Sequence, residues 1–223
     1  NLNMLYVIEN NGVYGLTKGQ FSASAAIGAT AKKGEANTQM PIDPVKMALA
    51  LGATFIARSF SGDKAQLVPL IKAGIKHKGF AVIDVLSPCV TFNDHEDSSM
   101  GYAYAYQHLH AAAHADFIDP DREAIIAAYD EGTVTQVTLH DGSTIILKKA
   151  DEDYDPRDRS RAFDYVMKHQ EDGQIATGLL YIDEDQPNMH EGNKTIEAPL
   201  TNLPFEDLCP GADALAQLQD RYR

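Results

Sequence analysis

TFIARSFSGDKAQLVPLIKAGIKHKGFAVIDVLSPC, residues 54–89, sets two short apolar runs on either side of an amphipathic segment. TFIARSF (54–60) and FAVIDVL (80–86) are rich in aromatic and β-branched side chains and too short for independent helices, so both read as strands. Between them Ser61-Gly62-Asp63 opens a helix over KAQLVPLIKAGIKHKG, which His77, Lys78 and Gly79 close as a basic, glycine-ended terminus. Strand, helix and strand joined by short connections predict a parallel pair with a crossover helix.

Working outward, the same pattern extends upstream. MLYVI (4–8) reads as a buried strand stopped by Asn10-Asn11-Gly12. A loop rich in Ser, Ala, Gly and Lys follows over residues 14–41. Asp43 then makes an N-cap and Pro44 a first helical residue for the helix VKMALALGA, ended by Gly52. The predicted fold class is α/β, a doubly wound parallel sheet. Ligands of such sheets sit outside the carboxyl ends of the strands. Those ends are Asn10-Asn11-Gly12, Phe60-Ser61-Gly62-Asp63 and Ser87-Pro88-Cys89, all on one rim.

Beyond residue 115 the pattern changes, which divides the chain into 1–115 and a C-terminal α+β extension over 116–223. VTQVTLHDGSTIILKK (134–149) alternates at period two about His140-Asp141-Gly142 and predicts a β-hairpin. PRDRSRAFDYVMKHQEDG (156–173) predicts a charged amphipathic helix, IATGLLYI (175–182) a short strand, and DALAQLQDRYR (213–223) a helix. The bulk numbers exclude several classes of partner. A formal charge of −13 repels phosphate backbones and anionic surfaces, so neither nucleic acid nor membrane is an expected partner. No apolar run reaches the ~18–20 residues of a membrane span, and NLNML lacks the marks of a secretory signal. Two cysteines, Cys89 and Cys209, suit a reducing cytoplasm.

Each polar cluster has a functional and a plain reading. Asn11 could supply one hard oxygen to a divalent cation holding a diphosphate, with the Val13 carbonyl as a second across flexible Gly12. On spacing alone, the plainer reading is a loop that turns the chain. Lys18, between Gly15 and Gly19, could project its ammonium toward a carboxylate or phosphate, or simply into solvent. One cysteine holds neither zinc nor an iron–sulfur cluster, so Cys89 by itself reads as a small buried thiol and Cys209 as structural. Asp94-His95-Glu96-Asp97 reads as a solvated acidic loop. QHLHAAAH (107–114) places His110 and His114 one helical turn apart, as surface or packing residues.

Taken together, ENNGVYGLTKGQFSASA, IDPVKMALALGATFIARSFSGD and IDVLSPCVTFND resemble one family. It is the β subunit of the thiamine-diphosphate-dependent 2-oxoacid:ferredoxin oxidoreductases, most closely the 2-oxoglutarate type. The resemblance is close over residues 1–110 and is carried by NN-x-[VI]-YGLTKGQ together with SPC-x-TFN. It implies the diphosphate-binding half of the thiamine diphosphate fold. In that half Asn10, Asn11, Val13, Tyr14 and Gly15 surround the cofactor, and Asn11 and the Val13 carbonyl hold Mg²⁺. Leu16 and Lys18 then match the active-site loop near substrate or coenzyme A, Cys89 one ligand of a [4Fe–4S] cluster, and Lys64 a coenzyme A contact. The implied reaction is oxidative decarboxylation of a 2-oxoacid to acyl-CoA and CO₂, with electrons leaving to ferredoxin and an α subunit as partner. The family's upstream Gly-Asp-Gly and its other cluster cysteines are not in these residues, so the chain resembles the C-terminal two-thirds of such a subunit and is expected to be inactive alone. Pyruvate or another 2-oxoacid as substrate, or a non-catalytic subunit-interaction fragment of the same fold, are the alternatives.

Overall fold

The computed structural model describes residues 1–29, 35–95, 98–118, 134–138, 144–149, 154–209 and 211–222. Its strands are β1 (Met4–Asn10), β2 (Val13–Tyr14), β3 (Gln20–Phe21), β4 (Phe55–Phe60), β5 (Phe80–Leu86), β6 (Leu109–Ile118), β7 (Val134–Thr138), β8 (Thr144–Lys149) and β9 (Ile175–Ile182). The helices are α1 (Pro44–Leu51), α2 (Lys64–Lys76), α3 (Tyr102–His108), α4 (Arg159–Glu171), α5 (Met189–Gly192), α6 (Phe205–Leu208) and α7 (Gly211–Asp220). Two compact units are present, Asn1–Asn188 and Met189–Arg223.

The first unit is one sheet in the order β1-β5-β4-β9-β6-β8-β7. Its first three strands are parallel, as the crossover pattern predicts. The sheet then becomes mixed, because β9 runs antiparallel to β4 and parallel to β6. It runs without interruption across residue 115. The hairpin strands β7 and β8 pair antiparallel at its far edge. The turn predicted at His140-Asp141-Gly142 lies outside the described residues.

Local punctuation acts where the sequence places it. Asp43 accepts from Val45 N at 2.9 Å and Lys46 N at 3.3 Å with Pro44 at the helix start, and Gly52 ends α1 at φ +88°. Asp63 caps α2 through Gln66 N at 3.1 Å. At the other end of α2, the His77 ring is buried, with Nε2 2.7 Å from Thr54 Oγ1 and Nδ1 2.9 Å from Glu184 Oε1, and it ties the helix end to the amino-terminal side of the sheet.

QHLHAAAH departs from its predicted helix. Helix α3 stops at His108, Leu109 turns extended, and 109–118 become β6. Alanine favours helix by at most ~1 kcal/mol per residue. Here β9 pairs with the first part of β6 and β8 with the rest, so its backbone groups find partners along its whole length. His110 and His114 therefore lie on a strand and not on a helix face. The His110 ring stacks on His169 of α4 at 4.6 Å.

Alternation along β4 and β5 divides the core. Phe55, Ala57, Ala81, Ile83 and Val85 face α2 with Leu70 and Ala73. Ile56 and Val82 face α1 and α4 with Val45, Leu49 and Val166. Each fully buried Phe, Ile, Leu or Val among them is worth ~1.5–3 kcal/mol of transfer free energy. On this second face the next residues toward the carboxyl ends are charged. Arg58 and Asp84 stand directly opposite one another in the β4–β5 register, 7% and 0% exposed. Arg58 Nε donates to Asp84 Oδ2 at 2.9 Å, and its Nη2 donates to Asp43 Oδ1 in a short contact. In the second unit none of the described residues of α5, α6 or α7 is buried.

Removing one member of a buried pair strands the other, at a cost of ~3–5 kcal/mol. Arg58→Leu and Asp84→Leu are each expected to lose about that much on urea denaturation. The double substitution is expected to fall short of the sum of the singles by more than about 1 kcal/mol. Strictly additive losses would show that the two charges do not stabilise one another.

Candidate functional site

Three parallel strands deliver their carboxyl ends to one rim, and the first of them ends in the Asn-Asn-Gly turn. Asn10 is buried, and its carbonyl accepts from Ser87 N at 2.9 Å, which joins the turn to the segment after β5. Asn11 is half-buried. Its Oδ1 accepts from Val13 N at 3.0 Å, closing an Asx turn, and its carbonyl accepts from Asn93 Nδ2 at 2.9 Å. Gly12 is required twice over: φ is +71°, and a Cβ there would stand 2.6 Å from Asn93 Nδ2 and 2.7 Å from Met100 Sδ.

The turn leads into a small hairpin, β2 and β3, whose base is fastened and whose residues 14–18 are exposed. At the base, Ser22 N donates to the Gly12 carbonyl at 3.1 Å, and where the tip loop returns to β3, Phe92 lies where a Cβ on Gly19 would touch it. At the tip, Leu16 is 98% exposed and Tyr14 56% exposed, and nothing approaches Gly15. Lys18 is exposed and holds φ +69°, a left-handed conformation that costs a non-glycine residue ~1–2 kcal/mol. Its amide donates to Gly15 O at 3.1 Å, so the tip is a tight turn with the ammonium outside it.

Cys89 is half-buried and reduced, at the start of the segment that carries Asn93. Its carbonyl accepts from Phe92 N at 3.1 Å and Asn93 N at 2.7 Å, which folds SPCVTFN back onto the Asn-Asn-Gly turn. Lys64 is exposed in the first turn of α2, at the same end of the sheet. The structure thus gathers Asn10, Asn11, Val13 and Cys89 about one edge and puts Leu16 and Lys18 at an exposed hairpin tip. Cys209 belongs to the second unit and is exposed.

Several residues of this site carry no role in the sequence reading. Asn93 and Phe92 sit inside the quoted SPCVTFN, yet their partnership with Asn11 and Gly19 spans the domain. Ser24 Oγ donates to Asn10 Oδ1 at 2.6 Å, and Asn10 Nδ2 donates to Asp84 Oδ1 at 3.1 Å, which attaches the turn to the buried ion pair. Burial pushes the Asp84 carboxyl above its ordinary range, against the pull of Arg58 and Asn10. Burial also disfavours the Arg58 cation, but Asp84 and Asp43 outweigh it and hold the guanidinium charged. A cavity of about 260 Å³ opens beside these groups, lined by Asn10, Ser24, Asp43, Arg58, Asp84 and Met100 among others. The signal in the sequence was a lone Arg and a lone Asp in two successive apolar strands, since charges that deep must be paired.

The donor set at the turn is hard oxygen, which suits Mg²⁺ and a diphosphate. Asn11 Oδ1 spends one lone pair on Val13 N and keeps another, so the amide fits a cation without dismantling the turn. An iron–sulfur cluster is a different case. Among the described residues no three His, Cys, Asp or Glu side chains converge to hold a metal, so Cys89 offers one thiolate and these residues do not hold a cluster by themselves.

Residues 1–85 match the family described as thiamine pyrophosphate enzyme, C-terminal TPP binding domain, and residues 146–198 match the family of the C terminal of the pyruvate ferredoxin oxidoreductase beta subunit. The chain is 45% identical over 95 residues to a 2-oxoacid:ferredoxin oxidoreductase subunit beta of Saccharolobus solfataricus, covering 42% of this chain and 31% of that protein. It is 36% identical over 95 residues to the 2-oxoglutarate oxidoreductase subunit KorB of Mycobacterium tuberculosis, covering 42% of this chain and 26% of the relative. The chain thus spans less than a third of the length of these curated relatives. Its fold is similar to that of a 2-oxoglutarate:ferredoxin oxidoreductase from Magnetococcus marinus, solved with 2-oxoglutarate, coenzyme A and succinyl-CoA bound. The TM-score is 0.62 at 26% identity, over 87% of this chain and 52% of the other. With the thiamine pyrophosphate match taking in the Asn10-Asn11-Gly12 turn and the β2–β3 hairpin, the chain is similar, over the residues matched, to the β subunits of the 2-oxoacid:ferredoxin oxidoreductases.

Proposed function

We propose that this chain is the diphosphate-binding part of the β subunit of a 2-oxoglutarate:ferredoxin oxidoreductase, working in the cytoplasm with an α subunit. The observation that carries this reading is the Asn10-Asn11-Gly12 turn at the carboxyl end of β1, which lies within the residues matched as a thiamine pyrophosphate-binding domain and whose Asn11 carbonyl accepts from Asn93 Nδ2. Thiamine diphosphate, when bound, supplies the carbanion chemistry that decarboxylates 2-oxoacids. The chain's own residues orient it. Asn11 Oδ1 and the Val13 carbonyl would be oxygen ligands of Mg²⁺, while Asn10, Tyr14 and Gly15 border the diphosphate. Leu16 and Lys18 protrude from the hairpin tip, where the Lys18 ammonium would pair with a substrate carboxylate or a coenzyme A phosphate. Lys64 lies at the same end of the sheet, available to coenzyme A. Cys89 would contribute one thiolate to a [4Fe–4S] cluster completed by cysteines outside the described residues, with ferredoxin as the electron acceptor.

The substrate assignment to 2-oxoglutarate is supported by the KorB relatives and by the ligands of the Magnetococcus enzyme. A second reading, the same chemistry on pyruvate or another 2-oxoacid, is favoured by the match over residues 146–198 and by the broader name of the Saccharolobus relative. Acceptor-dependent turnover of 2-oxoglutarate, pyruvate and branched 2-oxoacids by the complete enzyme separates the two.

Two substitutions separate cofactor binding from substrate binding. In the complete enzyme Asn11→Ala is expected to raise the thiamine diphosphate Kd by roughly 10–100-fold, the scale seen when support for a bound metal is lost. Lys18→Ala is expected to leave that Kd unchanged and raise KM for 2-oxoglutarate or coenzyme A by about tenfold, the loss of one charge-assisted hydrogen bond. Calorimetric titration with thiamine diphosphate and steady-state kinetics distinguish the two. Equal weakening of thiamine diphosphate by both, with neither KM changed, would remove Lys18 from the substrate site. Cys89→Ala is expected to diminish the visible absorption of the cluster without altering the thiamine diphosphate Kd. Unchanged absorption would return Cys89 to the role of a packing thiol.

A further inference from the structure

We infer that Asp84 and Arg58 are positioning residues for the cofactor turn: the buried pair fixes the orientation of the Asn10 amide, and through it the start of the turn that presents Asn11. The inference rests on the thiamine diphosphate reading of that turn. Asp84 and Arg58 are 0% and 7% exposed, and the pair reaches the turn through the Asn10 amide.

The two oxygens of Asp84 serve different partners. Oδ2 accepts from Arg58 Nε at 2.9 Å, and Oδ1 accepts from Asn10 Nδ2 at 3.1 Å. An ionised carboxylate only accepts, so Asn10 must turn its NH₂ toward it. That leaves Asn10 Oδ1 facing Ser24, whose hydroxyl donates at 2.6 Å. One side chain thus decides which way the amide points. With its backbone carbonyl held by Ser87 N at 2.9 Å, Asn10 is fixed in front and behind as the chain enters the Asn11 turn.

The other end of the network reaches the same loop from the far side. Arg58 Nη2 donates to Asp43 Oδ1, the oxygen that also caps α1. Ser24 and Asp43 bracket the segment that joins the β2–β3 hairpin to α1, and both are attached to the one buried pair. An Asn at position 84 could not replace Asp in this role. It has one acceptor oxygen where two are needed, so satisfying Asn10 turns an NH₂ toward the Arg58 cation, and satisfying Arg58 turns it toward the Asn10 amide. Ser24 tests the same chain more gently, since its loss removes a single contact to Asn10.

The test compares Asp84→Asn, Ser24→Ala and Leu70→Ala with the unaltered enzyme, complete with its partner subunits. Calorimetric titration with thiamine diphosphate and Mg²⁺ gives Kd, and thermal unfolding gives Tm. Leu70, a fully buried residue of α2 on the opposite face of the sheet, controls for stability lost without positioning lost. Asp84→Asn is expected to raise Kd about tenfold and Ser24→Ala about threefold, while Leu70→Ala lowers Tm and leaves Kd alone. Unchanged Kd in Asp84→Asn and Ser24→Ala overturns the inference, as does an equal rise in Leu70→Ala. Should Asp84→Asn fail to fold, Ser24→Ala decides the matter alone. If the unaltered enzyme binds thiamine diphosphate and the variants match it, only the positioning role falls. If the unaltered enzyme binds none, the thiamine reading falls and takes this inference with it.

Discussion

Two opposite charges buried in adjacent parallel strands can persist only together. Arg58 and Asp84 meet across the β4–β5 register, and that meeting constrains what surrounds it. A one-residue slip of either strand would turn its charge to the α2 face, among the apolar Phe55, Ile83 and Leu70, and leave the other charge behind on the first face. The pair therefore specifies register at a cost in desolvation, where a pair of apolar residues would have packed without specifying it. Asp43 extends the constraint to α1, whose N-cap and whose ionic partner are the same carboxylate. One buried network sets strand register, helix position and loop attachment at once.

Outside the strands, close backbone approach replaces charge as the organising constraint. The Asn-Asn-Gly turn and the SPCVTFN segment come from chain positions far apart and touch through main-chain groups. Asn93 reaches the Asn11 carbonyl only because Gly12 has no Cβ in its way, and Phe92 lies against Gly19 for the same reason. Side chains at either glycine would push the two segments apart. The loop gains from its glycines a place to lie against its neighbour, and this compensates for the entropy that glycine loses on folding. The result is a turn whose amide oxygen is aimed by a hydrogen bond from Val13 N and still has capacity for a further ligand.

What could be read from the sequence follows from how local each cause is. Asp43-Pro44, Gly52 and Asp63 act within four residues of themselves, so the starts and ends of α1 and α2 were legible. The strands at 80–86 and 175–182 were legible because their apolar runs end at turn residues. QHLHAAAH was not, because alanine's small helical preference yields to pairing with β8 and β9, which nothing nearby announces. The ion pair was visible as two isolated charges, but their partnership joins residues 26 positions apart, and that of Asn93 with Asn11 joins residues 82 apart. Site residues named by resemblance fell at the rim, whereas Asp84, Arg58, Ser24 and Asn93, which hold that rim in place, depended on register and were missed.

The contrast between base and tip of the β2–β3 hairpin gives this arrangement its functional sense. A metal ligand must be held to a few tenths of an ångström, which demands neighbours that cannot yield. Asn11 has them: Val13 N, Asn93 and, one residue back, an amide locked against a buried carboxylate. A group that meets a substrate entering and a product leaving has the opposite requirement. Leu16 and Lys18 protrude from a turn with little packed against it, and the left-handed backbone at Lys18 adds strain that few contacts oppose. Local stability follows buried contacts, so the tip can rearrange without disturbing the base. Gly12 and Gly19, the two places where a neighbouring segment presses on the hairpin, mark where the held part stops. On the proposed reading, a held Asn11 and an exposed Lys18 lie within one short stretch of chain because Asn93 and Phe92 press on it at Gly12 and Gly19 and leave residues 14–18 outside.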